Sequence, residues 1–522
     1  MKQHLLYVIA PQRLSEFEIA MKRLKAEPSE SPKGGEKSFK ITHRLLEKLE
    51  LNVCIVTEID SITAFLRQNP VDLLIYDERG PGTLGVVKAV QQIKKDVKQL
   101  EELWGPDLNF PSSRIVAILK EGHSSEHTVF DLGRLNVRDI IVAPKSTALM
   151  LRWLKNILYH GIIRENKTGI ALSGGAIEGL LYQIGVLHGL NMALSNRKLD
   201  SVDVVSGVSS GSIAGSIIAA KIPILDVLRA IHGLPSKSPH LKLSTLFDFA
   251  GLHIFRRFTR VSLSMPKSQP SQWIPNLSQS IPTGFFMGDR FESYLRSVFE
   301  THGKTTNLSE LDTKFYVGVT DQDNFKHVVL GKAPFENIDI PSAVRASSAL
   351  PPLFTPKRIA GRNYIDGQVT KSCNLESVVE EGARLIFIID PLKPFKSTTA
   401  GIAEKRGGLY SILQMVKALV ATRFEAALSA VSQQYPDVDF LVFQPDEECA
   451  KLMSGSPLRS KFRTEIIESA YQGTLRTLRE RHHIYATKME RYGFKLKSPE
   501  ELRELESNYH GILESTSESK TD

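Results

Sequence analysis

The first part of the chain repeats one pattern, in which a short apolar run is followed by a segment long enough to hold a helix. Such alternation of strands and helices predicts a parallel sheet covered by helices. The apolar runs are Leu5–Ala10, Val53–Val56, Val71–Tyr76, Arg114–Leu119 and Asp139–Ala143. The stretch from Glu27 to Lys37 is rich in Ser, Pro, Gly and charge, and it predicts a loop. We therefore predict a first α/β domain over residues 1–147.

The rest of the chain divides into three parts. Ala148–Leu158 has the apolar spacing of a helix and runs into polar residues, so it predicts a helical linker over 148–167 that could transmit regulation. A second α/β domain is predicted over 168–495. The segment 496–522 is charged and Ser-rich, which is typical of a polar C-terminal tail.

A glycine turn between an apolar strand and a helix opens the second domain. The strand Thr168–Ser173 leads into Gly174, Gly175 and Ala176, and Gly179 follows in the helix. Backbone N–H groups that converge in such a turn can bind a phosphate or the oxyanion of an acyl-transfer intermediate. The spacing departs from the dinucleotide-binding fingerprint, and no acidic residue ends a second strand about 20 residues later. An oxyanion hole formed by Gly174, Gly175 and Ala176 is therefore the favoured interpretation.

A second turn of the same kind holds a serine. Ser209 lies between Gly207 and Gly211, after the β-branched strand Val202–Val205 and before a helix of small residues. This context is that of a nucleophile elbow, where the serine projects from a sharp turn. The helix N-terminus favours the negative charge that develops beside it. Small residues in a turn can also serve close packing alone, so the motif needs further support.

That support comes from a carboxylate that ends a third short strand. Asp366 precedes Gly367, and upstream lies the stretch Ala346–Phe354, which reads Ala-Ser-x-Ala-x-Pro-x-x-Phe. Asp-Gly alone is typical of a turn. With these motifs in this order, residues from about 167 to 480 resemble the patatin-like phospholipase family. The resemblance implies a three-layer α/β/α hydrolase domain with Ser209 as nucleophile and Asp366 as the proton acceptor, and it implies no metal or other cofactor.

Four features depart from the family pattern. Ala176 replaces a glycine, Glu178 replaces a basic residue, Gln368 stands where a small residue is common, and Asn374-Leu375 stands where the family often has Asn-Pro. Ala176 keeps its backbone N–H and preserves the oxyanion hole unless that position needs a positive φ. Glu178 would either oppose an anionic substrate or face solvent and stabilise the helix N-terminus.

A Ser-His-Asp triad is the rival to the dyad. His482 and His483 follow the acid in chain order, as a triad of this type requires. They lie in a highly polar helical stretch, which an exposed helix face explains more simply. The dyad is therefore favoured.

The first domain resembles the response-regulator receiver domain. Asp77 ends the third apolar run and Lys145 follows the fifth, as in that family. The acidic pair that binds magnesium is missing after Ala10, and Lys120 stands where a hydroxyl is expected. Without carboxylates to hold a hard cation, phosphotransfer to Asp77 is not expected. We predict a degenerate regulatory module that could mediate dimerisation or bind a signalling partner.

Length and composition exclude several classes of protein. The chain has 522 residues, 42% of them hydrophobic, and a net charge of +8 that is too modest to indicate nucleic-acid binding. The sequence contains no run of about 18 apolar residues, so no transmembrane helix is predicted. The first apolar run is typical of a strand and not of a signal peptide. Cys54, Cys373 and Cys449 are widely separated, which argues against disulfides or a zinc cluster and favours the cytoplasm.

The predicted function is a lipid acyl hydrolase, a phospholipase A-type enzyme or a related esterase, acting at a membrane surface on a phospholipid or other acyl ester. The segment Leu252–Arg260 mixes aromatic residues with arginines, which suits a lid or lipid-docking surface and equally an ordinary packed insertion. Two alternatives remain open. One is a transacylase or thioesterase, and the other is a degenerate domain that binds lipid or signals without turnover.

Overall fold

The structure is a computed structural model. It describes residues 2–32, 34–43, 46, 50–79, 83–104, 110–122, 125–142, 147–159, 167–241, 248, 284–393, 401, 408–454 and 460–509. The segment Leu252–Arg260, for which a lid or docking role is predicted, lies outside these ranges. Within them, no helix has the length and apolar character needed to cross a membrane.

The first unit is built on a sheet with the strand order β2-β3-β4-β1-β5-β6-β7. The strands β1, β4, β5, β6 and β7 run parallel, and their order is that of doubly wound flavodoxin-like sheets. Their bounds are β1 Lys2–Val8, β2 Glu27–Ser29, β3 Lys37–Thr42, β4 Glu50–Val56, β5 Leu73–Asp77, β6 Ile115–Leu119 and β7 Asp139–Val142.

The antiparallel edge β2-β3 corrects one sequence prediction. The stretch Glu27–Lys37 was expected to be a loop, but Glu27–Ser29 pairs with Ser38–Lys40. All residues of β2 are exposed, so no alternation of apolar and polar positions marks this strand in the sequence.

Helices cover both faces of this sheet. They are α1 Leu14–Arg23, α2 Asp60–Gln68, α3 Val86–Trp104, α4 Glu126–Arg134 and α5 Thr147–Tyr159. Alternate residues of β1 enter opposite cores, because successive side chains of a strand point to opposite faces. The helix α5 falls where a linker was expected. Its Leu151, Leu154 and Leu158 are buried in one of these cores, so the described part of this segment packs as a helix of the first unit.

The second unit has a sheet with the strand order β12-β13-β10-β9-β8-β14-β15, and β11 pairs with β10. The strands β10, β9, β8, β14 and β15 are parallel neighbours. The bounds are β8 Lys167–Leu172, β9 Val204–Val208, β10 Lys314–Asp321, β11 His327–Leu330, β12 Lys357–Ile359, β13 Arg362–Asp366, β14 Ala383–Ile389 and β15 Asp439–Phe443.

Helices again lie on both faces, which confirms the predicted three-layer α/β/α architecture. They are α6 Ala176–Ala193, α7 Ser210–Ala219, α8 Ile224–His232, α9 Asp289–Thr301, α10 Ile340–Ser347, α11 Leu375–Glu380, α12 Gly408–Gln434, α13 Glu447–Leu452, α14 Ser460–Glu480, α15 His482–Glu490 and α16 Pro499–Ser507. The helices α11 and α12 pack on one face of the sheet, and α6, α7, α9, α10 and α14 contribute to the core on the other.

The helix α16 lies in the segment expected to be a polar tail. A capping box formed by Ser498 and Glu501 starts this helix, and Leu502 and Tyr509 are buried in the same core as α6 and α14. The second unit therefore extends at least to residue 509.

Ion pairs join the two units. Arg491, which follows α15, binds the Asp72 carboxylate with one Nη2–Oδ2 distance of 2.7 Å. Arg114 donates from Nε to the Pro436 carbonyl at 2.9 Å and lies 3.4 Å from Asp439. These side chains are largely buried, so neither charge can be removed from the interface without leaving its partner unpaired.

Candidate active site

Ser209 occupies a strained turn between β9 and α7. Its φ of 53° and ψ of −126° lie in a region that residues other than glycine rarely adopt. A Cβ atom on Gly211 would come within 2.4 Å of the Leu172 carbonyl oxygen, and one on Gly207 within 2.3 Å of the Gly211 oxygen. Both motif glycines are therefore required by close backbone approach, and the turn has the geometry of a nucleophile elbow.

Ser347 fixes the backbone of this turn. The Ser209 N–H donates to Ser347 Oγ at 2.8 Å, and the Ser347 hydroxyl donates to the Gly318 carbonyl at 2.7 Å. In the sequence, Ser347 is recognisable only as the serine of the stretch Ala346–Phe354. Its structural role is to connect the nucleophile turn to β10.

Asp366 ends β13 and is 0% exposed. Its Oδ1 accepts a hydrogen bond from the Gln368 N–H at 2.8 Å, whereas Oδ2 has no hydrogen-bond partner among the described residues. Burial raises the pKa of Asp366 to about 7, although interaction with the Ser209 hydroxyl lowers it. The Ser209 hydroxyl is thus close enough to influence the carboxyl. Its distance and angle to Oδ2 do not meet the geometry of a hydrogen bond. The structure therefore brings the predicted nucleophile and the predicted base together.

A hydrogen-bonded chain lies behind Asp366. The Thr320 hydroxyl donates to the Asp366 carbonyl at 3.0 Å and lies 2.8 Å from the Thr370 hydroxyl, which contacts His327 Nδ1 at 3.0 Å. His327 Nε2 in turn lies 2.6 Å from Asn374 Oδ1. Burial lowers the pKa of His327, so the ring is neutral at neutral pH. The chain positions the acid turn and adds no charge to it.

The predicted oxyanion loop joins β8 to α6. Among the described residues, no hydrogen bond uses the N–H of Gly174 or Gly175, and the Ala176 N–H lies in the first helical turn, where intrahelical partners are lacking. The φ of Ala176 is +54°, so this position does need the left-handed region that favours glycine. The N–H groups remain available, and the alanine side chain brings backbone strain.

Ser173 anchors the start of this loop. Its hydroxyl donates to Asp390 Oδ1 at 2.5 Å, and its carbonyl accepts from the Gln183 side chain. Gln444 donates to the other oxygen of Asp390 at 2.8 Å. Burial raises the pKa of Asp390. Spacing along the sequence offers no signal for these residues, because they lie in α6 or directly after β8, β14 and β15, which are four separate elements.

Glu178 lies in the first turn of α6, as the sequence predicts, but solvent does not surround it. Burial raises the pKa of its carboxyl, and the nearby Lys417 on α12 opposes that rise. Burial likewise lowers the pKa of Lys417. Lys417 thus offsets the negative charge that the sequence placed beside the oxyanion loop. Gly179 packs against Pro391, and Gly367 against the Gly318 carbonyl.

The histidines of the rival triad lie elsewhere. His482 Nε2 contacts the Lys497 carbonyl at 2.8 Å, and no histidine is hydrogen-bonded to Asp366 in the described part of the chain. A cavity of about 340 Å³ opens at the amino ends of β8, β9 and β10, the sheet edge opposite Ser209, and it is lined by paired lysines and acids. The described ranges contain no cluster of His, Cys, Asp or Glu able to hold a metal ion.

Asp77 of the first unit sits in a different setting. It ends β5 as predicted, but its carboxylate accepts hydrogen bonds from Tyr7, Arg13 and Arg79. Lys145, the other residue of the receiver resemblance, lies outside the described residues.

Residues 170–379 match the model of the patatin-like phospholipase family. Among solved structures, VipD from Legionella pneumophila is 16% identical with a TM-score of 0.33, and the match covers 67% of this chain and 75% of VipD. The type III effector ExoU is 14% identical with a TM-score of 0.30, and the match covers 61% of this chain and 54% of ExoU. On the match to the family model, residues 170–379 form a patatin-like phospholipase domain.

Proposed function

We propose that this protein hydrolyses acyl esters of lipids with a dyad of Ser209 and Asp366. The observation that carries the proposal is the state of Asp366. The carboxyl is buried beside the nucleophile with one oxygen unpartnered among the described residues, and its pKa is about 7. A carboxylate with a pKa near the working pH can accept a proton during nucleophilic attack and return it later.

The reaction follows from these positions. Ser209 Oγ attacks the ester carbonyl while its proton passes to Asp366 Oδ2. The N–H groups of Gly174, Gly175 and Ala176 stabilise the negative oxygen of the tetrahedral intermediate. The intermediate collapses, and the leaving alcohol takes the proton from Asp366. Water then attacks the acyl-serine, Asp366 accepts its proton, and the fatty acid leaves as Ser209 regains a hydrogen.

A lipid surface suits the region beside the dyad. Arg423 on α12 donates to the carbonyls of Gln368 and Val369, which brings this helix next to the acid turn. On the same helix Met415 and Leu419 are each 56% exposed. Apolar side chains next to a catalytic site favour contact with a lipid aggregate. We propose peripheral action at a membrane, in the reducing cytoplasm that the free cysteines favour.

The test is labelling with a fluorophosphonate probe, with and without phospholipid vesicles. Ser216→Ala is the matched control, because Ser216 lies about two turns further along α7 and its hydroxyl donates to the Ile213 carbonyl at 2.7 Å. We expect wild type and Ser216→Ala to be labelled, Ser209→Ala to remain unlabelled, and vesicles to increase the rate. Absence of labelling of wild type in both conditions would contradict the hydrolase and favour the lipid-binding alternative.

The acceptor distinguishes hydrolysis from acyl transfer. With a phospholipid as donor, a hydrolase releases free fatty acid, whereas a transacylase moves the acyl group to an added lysophospholipid. A thioesterase would prefer an acyl thioester donor. We expect free fatty acid to be the product from the oxygen ester.

A further inference from the structure

The side-chain amide of Gln368 lies directly on the oxyanion loop. A Cβ atom built on Gly174 would come within 2.3 Å of Gln368 Cδ and within 2.6 Å of both Nε2 and Oε1. The amide therefore fills the space that only a glycine at position 174 leaves open. Gln368 is also the residue that stands where the family pattern commonly has a small one.

The Gln368 backbone is held at both polar groups. Its N–H donates to Asp366 Oδ1 at 2.8 Å, and its carbonyl accepts from Arg423 Nη2 at 3.2 Å. Arg423 Nη1 also donates to the next carbonyl, that of Val369, at 3.0 Å. The main chain from which the amide projects is thus fixed between the acid and α12.

The donor group of the side-chain amide is left over. Gln368 Nε2 is fully buried and makes no hydrogen bond among the described residues. A buried donor without an acceptor is unfavourable, because it has lost its hydrogen bonds to water and gained none in return. The unpaired donor adjoins the loop whose Gly174 and Gly175 N–H groups likewise make no hydrogen bond in the described part of the chain.

We propose that Gln368 is a further catalytic residue, whose Nε2–H donates a hydrogen bond to the substrate carbonyl oxygen as it becomes an oxyanion. The inference rests on the proposed hydrolase function. It adds a side-chain donor to the backbone donors of the loop, and such donors act where charge develops in the transition state. The competing role is a plug, in which the amide blocks the hole and must leave before substrate binds.

Two variants separate these roles. Gln368→Met keeps the length and bulk of the side chain over Gly174 and removes the N–H, whereas Gln368→Gly removes both. We expect both variants to lower kcat on a p-nitrophenyl ester by about 100- to 1000-fold, with a much smaller change in KM. Affinity for an acyl trifluoromethyl ketone, whose adduct carries the oxyanion, should fall by the same factor as kcat/KM.

A second readout separates oxyanion contact from indirect disturbance of the base. If Gln368 acts only through Asp366, its variants shift the midpoint of the pH–rate profile. If it contacts the oxyanion, the midpoint stays near that of wild type. Wild-type kcat in Gln368→Met, a higher kcat/KM in Gln368→Gly, or a shifted midpoint would each overturn the proposal. Wild type without Ser209-dependent turnover would overturn the proposed function and this inference together.

Discussion

Two buried aspartates, one in each unit, end strands at similar positions and have opposite surroundings. Asp77 follows β5 and is 2% exposed, and Asp366 follows β13 and is 0% exposed. The sequence singled out both, Asp366 as the proton acceptor of a hydrolase and Asp77 as the aspartate of a degenerate receiver domain. Of the two, only Asp366 lies beside the proposed nucleophile, Ser209.

The difference lies in the groups that face each carboxylate. Arg13 and Arg79 approach Asp77 to 3.1 Å and 2.7 Å, and the Tyr7 hydroxyl donates at 3.1 Å. Burial would lower the pKa of Arg79, but its hydrogen bond and charge contact with Asp77 raise it. Asp366 has no cation against it in the described part of the chain, and burial raises its pKa to about 7. A buried carboxylate held by arginines is structural, whereas one without a cation can exchange a proton.

The largest effect is expected at Asp366. Asp366→Asn should reduce ester hydrolysis by about 1000-fold or more, because the amide cannot accept the Ser209 proton. The exposed Asp323→Asn is the control and should retain wild-type turnover. Turnover by Asp366→Asn within about tenfold of wild type would remove Asp366 from the mechanism.

The same variant makes a prediction about stability. The folded-state pKa of Asp366 is raised, so its stabilising contribution is present at low pH and is lost as pH rises through about 7. At pH 8 the asparagine variant carries no buried charge. Its Tm should exceed that of wild type by a few degrees, and a lower Tm would contradict the account.

The next largest effect is expected at Asp77, and on stability instead of activity. Asp77→Asn leaves two arginines without their shared carboxylate and should cost about 2–3 kcal/mol in the free energy of unfolding. Ester hydrolysis per folded molecule should stay within twofold of wild type. Denaturant unfolding against the exposed Asp131→Asn control checks this. An unchanged midpoint together with lost hydrolysis would reverse the roles assigned to the two aspartates.

A smaller effect is expected at Ser347, because the active-site turn is assembled by neutral hydrogen bonds. Ser347→Ala removes the acceptor of the buried Ser209 N–H and one donor to the Gly318 carbonyl, and it should cost about 1–3 kcal/mol. The neighbouring Ser348 has a buried hydroxyl without a hydrogen bond among the described residues, so Ser348→Ala should be nearly neutral. Equal stability of the two variants in thermal unfolding would contradict the anchoring role.

The smallest effect is expected at Ala176. Ala176→Gly relieves a left-handed φ of +54° and should stabilise the protein by about 0.5–1 kcal/mol, with activity retained because glycine also donates its N–H. At Ala426, an exposed position in the interior of α12, the same substitution should destabilise by about 1 kcal/mol. A loss of stability in Ala176→Gly would show that the strain is absent.

The local features of the site could be predicted from the sequence, whereas the long-range contacts could not. One turn contains Gly207, Ser209 and Gly211, so their spacing in the sequence is enough to predict the strand, the sharp turn and the helix that follows. The arginines of Asp77 come from different loops, and Gln368 meets Gly174 only after folding. No periodicity in a single segment encodes such contacts.

The sequence predicted two elements wrongly, β2 as a loop and α16 as part of a polar tail, and the reasons differ. The exposed edge strand β2 has no buried face and therefore no alternating pattern. The helix α16 did have a signal, the capping box of Ser498 and Glu501, but the charged composition of the segment favoured a tail. Composition was the weaker guide, because the helix packs one face on the core through Leu502 and the partly buried Leu505.

The most direct test of the central claim is the rate of fluorophosphonate labelling of Ser209 between pH 5 and pH 9, in wild type and in Asp366→Asn. Protonated Asp366 cannot accept the serine proton. The account therefore predicts that the wild-type rate rises with pH with a midpoint near 7, and that the variant shows no such rise. A wild-type midpoint near 4, or a rise at 7 that persists in Asp366→Asn, would contradict the dyad.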